Sequence, residues 1–187
     1  MSTHPRLVLA GWVLVAPTSG ARALGSSLPA SILTISDCIQ ETFPRPPSWD
    51  WFTDLAEAQR ARRGHETAAR LVSVAMSPED ADEFIEQGAV DQPPEALALL
   101  RRHLPLGDGT IPLGYEIVGA EHGLDFHSWH CHGYADEVHA RLGISTNGYG
   151  LVPTHENAKA VLRWMLARPA REAPAPVPWC VVALAPA

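Results

Sequence analysis

The sequence predicts an α+β fold, a single domain in which a mixed or antiparallel sheet of about four to five strands packs with about five helices. Three observations lead there. Stretches of strand character recur at residues 7–15 (LVLAGWVLV, continuously apolar), 31–36 (SILTIS), 69–76, 113–120 and 179–184. Amphipathic stretches opened by capping residues lie between them. The two kinds follow each other in irregular order and without a fixed repeat, unlike a βαβ series. At 187 residues and 46% hydrophobic, the chain buries one core comfortably and two only with difficulty. The reading is therefore one domain over residues 31–187, with residues 1–30 as an N-terminal extension, either a strand or a signal-like segment.

Residues 7–15 and 31–36 are separated by a Gly/Ser/Pro stretch, and Pro44, Pro46 and Pro47 break the chain after the second run. Ser48 is positioned to cap a helix beginning at Trp49, with Trp49, Phe52, Leu55 and Ala56 on one stripe and Arg60, Arg62 and Arg63 near its end. After the strand at 69–76, Ser77, Pro78, Glu79 and Asp80 spell a helix start: a cap, a proline at the first helical position, then acids. Ala81, Phe84 and Ile85 point inward from that helix, and Gly88 stops it. A further helix is expected near Pro94, with Leu97, Leu100 and Leu104 on its face. Thr154 opens another, with Ala158, Val161, Leu162 and Met165 on one buried face and Pro169 limiting it. An APAPVP spacer precedes the last strand.

The formal charge of -7 and a pI near 5.7 exclude a duplex-binding protein, since phosphate neutralisation needs a basic face. A basic protein partner suits that charge. No apolar run reaches the roughly 20 residues of a membrane-spanning helix. GxGxxG, P-loop and GxSxG motifs are all missing, which leaves nucleotide binding and serine-hydrolase chemistry without a motif. Cys38, Cys131 and Cys180 are odd in number and widely spaced, the pattern of free thiols in a reducing cytoplasm. The alternative is secretion, because Arg6, the apolar residues 7–16 and the AxA sequence at Ala21–Ala23 outline a signal peptide. Among the basic residues, a single lysine, Lys159, stands against arginine everywhere else.

FHSWHCHG, residues 126–133, concentrates His127, His130, Cys131 and His132 beside Trp129. If it is extended, His130 and His132 share one face and form an HxH metal pair. His155, His122 or Glu121 would then supply a third ligand, and zinc is the metal implied. If it is helical, Ser128 caps a helix in which Cys131, Ala135, Val138 and Leu142 run down one face to Gly143. In that case His130 and His132 point apart, while His132, Asp136 and His139 align. The fourteen-residue periodicity favours the helix, and it puts Cys131 in a helix first turn as a candidate nucleophile, with His127 or His130 as its base. The blander reading of Cys131 is a small buried hydrophobe.

Two features suggest a protein-contact surface. In SWDWF, Trp49 and Phe52 fit a buried stripe and Trp51 does not, so Trp51 is read as surface, and Trp129 joins it as a candidate aromatic contact. Glu79, Asp80, Asp82, Glu83 and Glu86 crowd a single helix; Glu79, Asp80 and Glu83 are read as contact residues, and Asp136 adds a further acid.

The phrases PSWDWF, LGYEIVGAE, FHSWHCHG and PVPWCVVAL together resemble a group of small actinobacterial proteins, over most of the chain from about Ile32 onward. The resemblance brings no activity with it. In that group the phrase runs FHSW, a variable residue, then Cys; His127, Trp129 and Cys131 match it, whereas His130 and His132 fall where histidine is not required. By class and charge alone, the chain is also similar to immunity proteins, which cover the active site of a cognate toxin. The expectation is a cytoplasmic, non-enzymatic binding protein that needs no cofactor and meets a basic toxin through an acidic surface. A zinc-binding protein or small enzyme centred on residues 127–132 is the alternative.

Overall fold

A computed structural model of the chain describes residues 6–15, 18–19, 21–36, 39, 51–64, 69–88, 92–107, 109–121, 123 and 125–187. Its centre is a six-stranded sheet in the order β4-β1-β5-β8-β6-β7, formed by β1 (Val8–Val15), β4 (Trp51–Phe52), β5 (Arg70–Met76), β6 (Gly114–Ala120), β7 (Phe126–Ser128) and β8 (Trp179–Pro186). Every neighbouring pair is antiparallel. β2 (Thr18–Ser19) and β3 (Ser31–Ile32) form a separate two-stranded ribbon. Six strands exceed the four or five expected, because the two-residue β4 and three-residue β7 are too short to leave a periodic signal.

The sheet curls. Trp51 on one edge strand and Phe126 on the other bring their rings within 5.6 Å, so the two edges nearly meet. Gly11 makes this closure feasible, since a Cβ there would overlap the Trp51 indole at 2.2 Å. The indole Nε1 donates to Ala10 O at 3.2 Å. Trp51 is therefore half-buried against the core and not the surface aromatic expected of it.

β1 is the second strand of this sheet, paired along its length with β5. The segment set aside as an extension thus supplies a core strand, with Val8, Leu14 and Val15 buried. The concave face holds Val72, Val74, Met76, Val118, Val182 and Leu184. It is filled by Leu33 and Ile35 of residues 33–36, which run as an extended strap, and by α2 (Pro78–Gly88) and α3 (Pro94–Arg101). The strand expected over 31–36 survives only as β3. On the convex face, Tyr115, Ile117, Trp179 and Val181 pack against α4 (Ala135–Leu142) and α5 (His155–Leu166).

Capping explains the helix boundaries. Ser77 Oγ accepts from Asp80 N at 3.1 Å, and Thr154 Oγ1 accepts from Asn157 N at 3.2 Å, so both starts lie where the sequence placed them. The helix expected from Trp49 begins later: Asp54 caps α1 (Leu55–Arg63) by accepting from Glu57 N at 2.8 Å, after Trp51 and Phe52 have been taken into the sheet. Ser48, Trp49 and the proline cluster lie outside the described residues. Among the described residues, no helix is long and apolar enough to cross a membrane.

Candidate functional site

The histidine segment is neither of the two forms expected of it. Residues 126–128 are the edge strand β7, Trp129–His132 form a 3-10 turn capped by Ser128, and Gly133 at φ 67° ends that turn before α4 begins. Gly133 takes the left-handed conformation that favours glycine, so the periodicity across residues 128–142 belongs to two elements. The alignment of His132, Asp136 and His139 on one helix is lost with it.

His127 leaves β7 on the convex face. Its row of the sheet reads Trp179, Gly119, His127 across three strands. Gly119 has no side chain, and a Cβ there would meet the Trp179 indole at 2.7 Å. The indole lies over this gap and stacks at 6.5 Å and 29° against the His127 ring. Glu121 Oε1 sits 2.8 Å from His127 Nε2, both side chains partly exposed.

From there an aromatic ladder crosses the surface. His132 lies 5.7 Å from Trp179 and stacks on Tyr134 at 5.3 Å and 15°. Burial, then the proximity of His127, lowers the His132 pKa. Tyr134 meets Trp164 edge-on at 5.7 Å, and the Arg168 guanidinium covers both rings at 4.9 and 4.6 Å. Glu137 pairs with Arg168 at 2.8 Å.

His130 turns the other way. It is fully buried, and its Nε2 donates to Gly150 O at 2.9 Å, which leaves Nδ1 without a partner. Burial holds its pKa down at about 4, so the ring is neutral. Trp129 is 1% exposed and belongs to the core, so it is not the contact residue proposed for it. Cys131 is disulfide-bonded, with Ser36 Oγ 3.4 Å from its sulfur, while Cys180 is free and buried. A disulfide sulfur offers no thiolate, so the pairing of His127 as base with a Cys131 nucleophile does not stand in this structure, nor does the expectation of three free thiols.

The metal triad is not assembled either. His130 faces Gly150, His132 faces Tyr134 and Trp179, and His155, on α5, faces Tyr115 and Asp80 of α2. Among the described residues, no group of three or more His, Cys, Asp or Glu side chains is placed to hold a metal. His122, one candidate third ligand, lies outside them.

Of the acidic contact set, Glu79 and Glu83 are exposed on α2. Asp136 is exposed too, but it accepts from Ser26 N at 2.9 Å, Ser26 Oγ at 3.0 Å and Ser27 N at 2.7 Å, and these hydrogen bonds hold its carboxyl well below the usual range. Asp80 is 2% exposed and cannot serve a surface. Its first-turn position looks acidic and solvated in sequence, yet the helix start is folded under α5. Ser77 Oγ donates to it at 2.8 Å, Lys159 Nζ donates to Oδ1, and His155 Nε2 lies 3.6 Å away. Burial pushes the Asp80 pKa up, but His155, Lys159 and Ser77 outweigh it and the net shift is downward. The lone lysine of an arginine-rich chain was the available signal for this pair.

A second buried carboxyl, Glu116 in the middle of β6, also escaped the sequence reading. It is 0% exposed and accepts from Thr34 Oγ1, from Ile35 N at 3.1 Å and from Ser128. Burial raises its pKa from 4.5 to about 7 against those three hydrogen bonds. Its visible signal was a charge inside the apolar run GYEIVGA.

The fold and site together define an α+β domain with a curled antiparallel sheet and no assembled metal cluster among its described residues. No family model matches the chain, and no curated protein or solved structure matches it either.

Proposed function

We propose that the chain is a non-enzymatic binding protein of immunity or antitoxin type, which engages a basic protein partner through the outer face of α2. What supports this reading is a single helix that turns Glu79, Asp82, Glu83 and Glu86 to solvent, with no basic residue in its last turn. Ala81 and Phe84 fix its other face in the core, so the acids stand on a rigid element and lose little freedom on binding. His103 lies 2.9 Å from Asp82, leaving Glu79, Glu83 and Glu86 as the main source of field. Such an array speeds encounter with a basic surface and selects against acidic ones. The charge of -7 agrees with it.

A second reading is favoured by the Glu121 contact with His127, since a partly exposed imidazole held by a carboxylate is how a general base is arranged. The two separate in one experiment. The purified chain is titrated by calorimetry with a panel of basic protein toxins, and cells producing each toxin are scored for growth with and without the chain. The binding reading expects a one-to-one, salt-sensitive complex and rescue, both lost in E79K/E83K/E86K and both kept in H127A. Equal behaviour of wild type and the triple variant overturns it.

A further inference from the structure

We propose that Glu116 is a proton-operated latch that holds residues 33–36 in the concave face of the sheet, tight while the carboxyl carries its proton and loosened once it is free to ionise. Alternation along β6 sends Tyr115 and Ile117 to the convex face and Glu116 to the interior, where Val118, Val182 and Leu184 surround it on the sheet side. Two of its three hydrogen-bond donors, Thr34 Oγ1 and Ile35 N, belong to the strap itself. The third, Ser128, caps the 3-10 turn. All three donors are neutral.

The titratable groups that adjoining elements bring to this face are Cys180 on β8 and His130 in the 3-10 turn, both buried and both kept neutral by burial. Among the described residues, no cation acts on Glu116. A buried carboxylate without a cation is costly, and here that desolvation outweighs the three donors, which by themselves favour the charged form. Ionisation is therefore easier with the strap lifted and the group in water. Leu33 and Ile35 anchor the strap in the core, Leu33 N donates to Tyr149 O at 2.8 Å, and Ser36 lies against Cys131. Lifting it uncovers Glu116.

The sign follows from linkage. The closed form holds its proton up to about 7 and the open form only up to 4.5, so latch stability is complete below 4.5 and is lost as pH rises through 7. The test uses the full oxidised chain at pH 4 to 9. Amide hydrogen exchange, corrected for intrinsic rates, is followed at Leu33 and Ile35 and at Val161 and Leu162 of α5, with the Glu116 carboxyl carbon titrated by NMR. The carboxyl is expected to titrate near 7. Ile35 protection should fall by up to about tenfold per pH unit between the two values and then level off, while α5 stays protected. In E116Q, Ile35 protection should not depend on pH. A carboxyl titrating at its ordinary value, a wild-type Ile35 as flat as in E116Q, or a strap and α5 that lose protection together would each overturn the latch. Should E116Q not fold, T34V keeps the carboxyl and removes one strap donor; its midpoint should rise, and an unmoved midpoint also counts against the proposal.

Discussion

Two carboxyl groups among the described residues are almost wholly out of solvent, Asp80 at 2% and Glu116 at 0% exposure; burial pushes both pKa values up, yet their net shifts are opposite. Asp80 lies against an ammonium and an imidazole, and its pKa falls. Glu116 lies among a hydroxyl of the strap, a backbone amide and a serine, and its pKa rises to about 7. Both are well hydrogen-bonded, so the count of donors does not decide the outcome. A positive partner does, because neutral dipoles in a low-dielectric interior recover only part of the lost hydration of a charge. One carboxylate clasps two helices together as an ion pair; the other suits its site only as a neutral acid.

The largest expected effect comes from breaking the first of these. K159A leaves the Asp80 charge buried without its ammonium and should cost about 3 kcal/mol in urea denaturation, the low end for a buried pair because Lys159 is itself partly exposed. The double variant D80N/K159M should cost less than K159A alone, since no charge is then stranded. If the two cost the same, Asp80 is better hydrated than its burial implies.

The pH dependence separates the two sites by sign. Asp80 has a lowered folded pKa, so its contribution is present above its ordinary 3.8 and is lost as pH falls through the folded value; D80N should flatten the acid limb of a melting-temperature profile. Glu116 has a raised folded pKa, so its contribution is lost between 4.5 and about 7. The melting temperature of E116Q relative to wild type should therefore climb over that interval and stay level above it. Parallel profiles for the two variants would dissolve the distinction.

Smaller effects follow. T34V removes one donor to Glu116 and should destabilise by about 1.5 kcal/mol at pH 8, and by less at pH 5, because the donor matters most to the ionised form. E79K/E83K on the exposed side of α2 should shift stability by no more than about 0.5 kcal/mol while abolishing binding to a basic partner. Asp80, one residue beyond Glu79, would respond to the same reversal as a core residue does.

That adjacency shows how much could be read in the chain beforehand. Ser77 with Pro78, Thr154 and Gly143 declared their helix ends, since each acts on backbone groups within four residues of itself. The strands expected at 7–15, 69–76, 113–120 and 179–184 announced themselves by length and strand character, and strands form over 8–15, 70–76, 114–120 and 179–186. The region around residues 126–133 misled because Cys131, Ala135, Val138 and Leu142 keep helical spacing across a left-handed glycine, so one stripe spans a 3-10 turn and a separate helix. Trp51 misled because its stripe was drawn on a helix that begins only at Leu55.

Glu121 and His127 were both named in advance, but not their contact, which depends on β6 and β7 pairing so that His127 faces Gly119. The buried charges were further out of reach. Lys159 meets Asp80 across 79 residues, and Thr34 meets Glu116 across 82. The sequence by itself determined the α+β class, the capped helices and the apolar strands, because capping and periodicity are short-range and each segment carries them alone. Only the tertiary structure decided which acids face water, since exposure is set by what the folded chain lays over a residue: α5 over Asp80, the strap over Glu116, and solvent over Glu79 and Glu83.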